Sequence, residues 1–102
     1  MKNLVLIIHA SMQQDLADHL RELTPVTGFT FSHVEGHGSQ VEHDPLLSVR
    51  DKVVGYIPRV RVDILLEDAE VANVLSTISQ ELPGVKAHGL YWVIDVGQYG
   101  RL

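Results

Sequence analysis

"RVRVDILLE" (Arg59–Glu67) alternates strictly, with Val60, Val62, Ile64 and Leu66 on one side. A period of two marks a strand with one buried face. From Asp68, read as a helix N-cap, the period lengthens. Val71, Val74, Leu75, Ile78 and Leu82 form a helical stripe, which Pro83-Gly84 stops. This strand-to-helix step sets the register for the rest of the chain.

Working outward, "LVLII" (Leu4–Ile8) is a short apolar run bounded by polar residues, as in a strand buried on both faces. Ser11 and Gln14 match a capping box. Met12, Leu16, Leu20 and Leu23 then share one helical face, and Pro25 and Gly28 end that helix. "FTFSHVEGHG" alternates, with Phe29, Phe31, His33, Glu35 and His37 on one side and Thr30, Ser32, Val34 and Gly36 on the other. Ser39 to Gly55 has no clean period and is expected to be a long loop. "LYWVIDV" (Leu90–Val96) is the last strand. The order β-α-β-β-α-β predicts one α+β domain over residues 1–102. It is a ferredoxin-like sandwich, an antiparallel sheet with both helices on one face.

The 102 residues suit a single modest core, and 45% hydrophobic with 21% charged residues is globular composition. A net charge of −5 with scattered cations gives no nucleic-acid footprint. Without cysteine, disulfides, thiolate metal sites and cysteine nucleophiles are excluded. Leu4–Ile8 is shorter than the roughly 7–15 apolar residues of a secretory h-region. No segment approaches the roughly 20 of a membrane span. A cytoplasmic location is expected.

The helices leave one sheet face uncovered, yet the first strand is apolar on both sides. The last strand is partly so, with Trp92 and Ile94 against Tyr91 and Val93. An apolar second face predicts cover by another copy of the chain.

Three stretches in register resemble the PII signal-transduction proteins and their PII-like relatives. "SHVEGHGSQ" (Ser32–Gln40) resembles the family's strand ending in a G-x-G-x-Q turn. "GYIPRVRVDILLEDAEVANVLSTI" (Gly55–Ile78) resembles its aromatic-aliphatic-Pro-Lys-Val segment, strand and acidic helix start. "YWVIDVGQYGR" (Tyr91–Arg101) resembles its closing strand. The resemblance runs nearly end to end. It implies a homotrimer, an adenine nucleotide in the cleft between subunits, and a T-loop-like segment, here 41–55, that reaches a partner protein.

Carried over by position, Gly36, Gly38 and Gln40 fit the turn and Arg59 stands for the lysine. Of the family's Gly-rich loop, "VKAHGL" (Val85–Leu90) keeps Gly89. His88 stands beside it, and Leu90 replaces a phosphate-binding lysine. Arg101 matches a terminal cation. The tyrosine that standard members uridylylate is missing, and Leu46 and Leu47 occupy that neighbourhood as the expected partner contact.

The histidines offer another chemistry. His33, Glu35 and His37 recur at i, i+2 and i+4 on one strand face, roughly 6.5–7 Å apart at Cα for each pair of neighbours. His43 and Asp44 follow, and His88 lies in the other ligand-facing stretch. Imidazole and carboxylate suit zinc, nickel or copper(II). His37 and His43 are the expected ligands, completed by His33 or His88. The plainer reading of the same residues is a polar strand end at the subunit rim, with the histidines in water or hydrogen-bonded.

No H-E-x-x-H, no G-x-x-x-x-G-K and no nucleophile elbow occurs, so no enzymatic turnover is expected. The reading is a PII-like regulatory protein that binds a small effector between subunits and acts on a target protein through its loop. The alternative is a divalent-metal-binding or metal-responsive trimeric module.

Overall fold

The computed structural model describes residues 1–38 and 57–102. Among them, four strands form one antiparallel sheet: β1 (Lys2–His9), β2 (Thr30–Gly36), β3 (Ile57–Leu66) and β4 (Leu90–Asp95), in the order β2-β3-β1-β4. Three helices accompany them: α1 (Gln13–Arg21), α2 (Val71–Glu81) and the short α3 (Pro83–His88). This is the expected ferredoxin-like plan.

Register fixes the faces. β1 pairs with β3 so that Leu4 lies opposite Ile64, Leu6 opposite Val62 and Ile8 opposite Val60. All six are buried and join Leu16 and Leu20 of α1 and Val74 and Ile78 of α2 in one core. Fully burying each such side chain stabilises by roughly 1.5–3 kcal/mol. Phe29 and Phe31 pack against the same core, with ring centroids 5.4 Å apart.

The other face carries Asn3, Val5, Ile7 and Arg61, Asp63, Leu65. β4 adds Trp92 and Ile94 there, opposite Val5 and Asn3. Val5 is buried, but Leu65, Trp92 and Ile94 are exposed. Every residue of β4 is exposed, on both sides of the sheet.

Three local expectations are corrected. The cap before α1 is His9 and not Ser11: its ring Nδ1 accepts the Ser11 backbone N–H at 3.1 Å, and a 3₁₀ turn over Ala10–Met12 leads into α1. Gln14 donates to Asp18 instead of closing a capping box. Asp68 lies inside a 3₁₀ turn (Asp68–Glu70), where Glu67 holds the cap position. Its carboxylate pairs with the N-terminal ammonium at 2.7 Å, which holds it below the usual carboxylate range. Pro83-Gly84 ends α2 and also opens α3, with Pro83 in the first turn, where its missing N–H costs nothing.

His19 is buried between the helices. Its Nε2 lies 3.1 Å from Thr77 Oγ1 and its Nδ1 3.1 Å from Glu81 Oε2, which ties α1 to α2.

Candidate functional site

The end of the sheet where β2 stops and β3 starts brings four of the expected residues together. Gly36 closes β2 opposite Ile57, and Arg59 follows on the same face, opposite Val34 and, across β1, His9. Arg59 lays its side chain over Gly36. A Cβ at Gly36 would sit 2.7 Å from Arg59 Cγ and 3.2 Å from its Nε. The guanidinium then reaches α3, where Arg59 Nη1 donates to the His88 carbonyl oxygen at 3.1 Å.

Gly89 ends α3 in extended conformation and donates its N–H to Val85 O at 2.6 Å. A Cβ there would lie 2.4 Å from that same oxygen, so only glycine fits so close a turn. The expected Gly-rich loop is therefore mostly the helix α3, with Gly89 as its terminus. A planar guanidinium with five N–H donors beside two glycines is suited to an anion.

Gly38 follows β2 in a bend with open space around it. Gln40, His43, Leu46, Leu47 and the 41–55 segment lie outside the described residues. Arg101 does not join Arg59. It lines an open cleft of about 800 Å³ at the opposite end of the sheet, with Thr27, Gly28, Thr30, Asp63 and Tyr99. Asp63 is held below the usual carboxylate range, chiefly by hydrogen bonds from Arg61, with Asn3 adding another at 3.1 Å. Arg61 also lies over the Trp92 ring, 5.8 Å from its centroid.

The described histidines do not assemble within the protomer. His33 is exposed near the end of β2. His37 is exposed past it, with Nε2 3.3 Å from Glu35 Oε2. Among the described residues no three histidine or carboxylate side chains are grouped to hold a metal ion.

One feature escaped the sequence reading. A groove of about 460 Å³ runs between α2, α3 and β4 on the helix side, lined by Leu75, Ile78, Val85, Lys86, Leu90 and Tyr91. The signal for it was present in Tyr91, an apolar residue on a face already filled by other strands.

The strand order, the helices on one face and the cation at the origin of the β2–β3 connection define the class: a ferredoxin-like α+β protein of PII-like plan. The chain belongs to the DUF3240 family, described as protein of unknown function, whose model matches residues 1–102. Over 103 aligned residues, all of this chain, it is 29% identical to nitrogen regulatory protein P-II 1 of Escherichia coli K12, covering 91% of that protein. It is also 29% identical over 80 residues to nitrogen regulatory protein P-II of Rhodospirillum rubrum, across 78% of this chain and 70% of that protein.

Two solved structures share the fold. A DUF3240 family protein from Shewanella baltica OS155 gives a TM-score of 0.76 at 24% identity, over 99% of this chain and 94% of the other. CPII, a nitrogen regulatory PII-like protein from Thiomonas intermedia K12, gives 0.69 at 23%, over 99% and 93%. The chain is a divergent PII-like protein. No helix among the described residues is long and apolar enough to cross a membrane.

Proposed function

We propose that this chain is a PII-like regulatory protein without catalytic turnover. It assembles as a homotrimer, takes an adenine nucleotide in the cleft between neighbouring copies, and acts on a target protein through residues 41–55. Arg59 carries the reading. Its guanidinium meets Gly36 and the α3 terminus at the sheet end from which the 39–56 connection departs. An anion bound there touches both anchors of that connection.

The second cation supports the intersubunit position. Arg101 lies at the far end of its own sheet, so a ligand held by Arg59 and Arg101 together must lie between two copies. CPII, the structural neighbour, was solved bound to ADP, AMP and bicarbonate. Trp92, Ile94 and Leu65 on the open sheet face are the surface such an assembly would cover. The nucleotide is preferred to a metal because the described histidines stand apart.

Calorimetric titration with ADP and AMP, each with and without bicarbonate, tests the reading, with zinc as a separate arm. Arg59→Ala and Arg101→Ala should each weaken nucleotide binding about tenfold or more, the cost of a hydrogen bond to a charged group. Co-refolding the two variants should restore wild-type affinity at a fraction of the clefts, since some then combine one intact half from each chain. Strong zinc binding without nucleotide binding would replace this reading with the metal-binding one. Loss in both variants without recovery in the mixture would place the two arginines in separate sites.

A further inference from the structure

Glycines at a phosphate site are ordinarily explained by close approach of backbone N–H groups to the ligand. The surroundings of Gly36 give it a different task. The space where its Cβ would stand is filled by this chain's own Arg59, with Cγ at 2.7 Å and Nε at 3.2 Å, and the Ile57 carbonyl oxygen lies at 3.3 Å. Side-chain carbons do not approach that closely. Cγ is only two bonds from Cα, so it cannot swing away without changing the course of the whole side chain.

We infer that Gly36 is a positioning residue that acts through Arg59: it is the slot in which the arginine stem lies, and its missing side chain aims the guanidinium at α3. The far end of the same side chain is fixed by the bond from Nη1 to His88 O, 3.1 Å. One arginine thus spans the end of β2, the start of β3 and the α3–β4 junction. A guanidinium held at stem and head has a fixed plane, which suits two-point recognition of a pair of phosphate or carboxylate oxygens. The inference rests on the proposed anion site for its functional meaning, and on packing alone for its structural meaning.

A double-mutant cycle over Gly36→Ala and Arg59→Ala separates the two. In urea unfolding, G36A should lower the midpoint. G36A/R59A should be more stable than the two single effects together predict, because the clash at Cγ has gone. If G36A alone fails to fold, a folded double variant is the same result in stronger form. In titration with ADP, G36A should lose about tenfold or more in affinity in the Arg59 chain, and nothing further in the R59A chain.

Strictly additive effects in urea would overturn the inference, as would a double variant that fails to fold beside a folded R59A. Additive losses of ADP affinity would also overturn it, since they would return Gly36 to direct contact with ligand. Non-additivity in urea with no ADP binding by the wild type would leave the slot standing and remove the proposed function.

Discussion

Leu65 and Ile94 flank Asn3 across the sheet, one on each neighbouring strand, on the face without helices. They are 43% and 42% exposed in the protomer. Full burial of a leucine or isoleucine is worth roughly 1.5–3 kcal/mol, so covering the exposed two-fifths contributes close to 1 kcal/mol from each. Leu65→Ala with Ile94→Ala should therefore cost a homotrimer about 2 kcal/mol per protomer and about 6 kcal/mol in all. The concentration at half-dissociation of a trimer varies as the square root of its dissociation constant, so it should rise on the order of a hundredfold. The protomer itself should change little, because both side chains already face away from its core. Sedimentation equilibrium over a dilution series measures this directly, against a protomer mass of 11.4 kDa. A wild type that runs at that mass at micromolar concentration would refute the reasoning. So would a double variant that dissociates at the wild-type concentration.

Asp63, held low by Arg61, should contribute stability that is present above the ordinary carboxylate pKa of about 3.9 and lost as pH falls through and below it. Urea midpoints from about pH 6 to 3 should fall more steeply for the wild type than for Asp63→Asn. His19→Ala removes the contacts to Thr77 and Glu81 between α1 and α2. It should cost about 1–3 kcal/mol by chemical denaturation. Gly89→Ala puts a carbon 2.4 Å from Val85 O, and a loss of about 1–3 kcal/mol is expected, with the α3–β4 amide resonances shifting most in NMR spectra.

The sheet was legible because two of its strands state their faces in their side chains. Val60 to Ile64 alternate apolar with charged, Leu66 keeps the same face, and Leu4 to Ile8 are apolar on both sides; the register of one strand then dictates the other. The caps were not legible, since they turn on which acceptor reaches a given N–H first. Ser11 has the right side chain for a cap, but the His9 ring nitrogen, two residues earlier, takes the Ser11 N–H. Asp68 was drawn away by the N-terminal ammonium, a partner 67 positions distant in sequence. α3 was hidden because Pro-Gly signals both a stop and a start, and six residues carry too little periodicity to decide. At the site, Gly36, Arg59, His88 and Gly89 were found together because strand pairing and one arginine's reach join them. The place of Arg101 was not legible for the opposite reason: no pairing pattern fixes where residues after β4 lie, and they run to the far end of the sheet.

Two features of the protomer favour the assembly proposed above. β4 is an edge strand whose first five residues, Leu90 to Ile94, are apolar and exposed on both faces. An uncharged edge of that kind invites pairing with another chain, and stable proteins cover it. Separately, Arg59 and Arg101 stand at opposite ends of one sheet, so neither end alone offers an anion both cations. A neighbouring copy lying along the open face and edge answers both needs. A closed ring of such contacts leaves no edge exposed. The proposed effector then binds the assembly and not the separated protomer. By mass action it must strengthen the assembly, by about 2.7 kcal/mol per site at a hundred times its dissociation constant. An effector site built across copies would make assembly and occupancy a single equilibrium, acting at the sheet end where β2 stops and β3 starts.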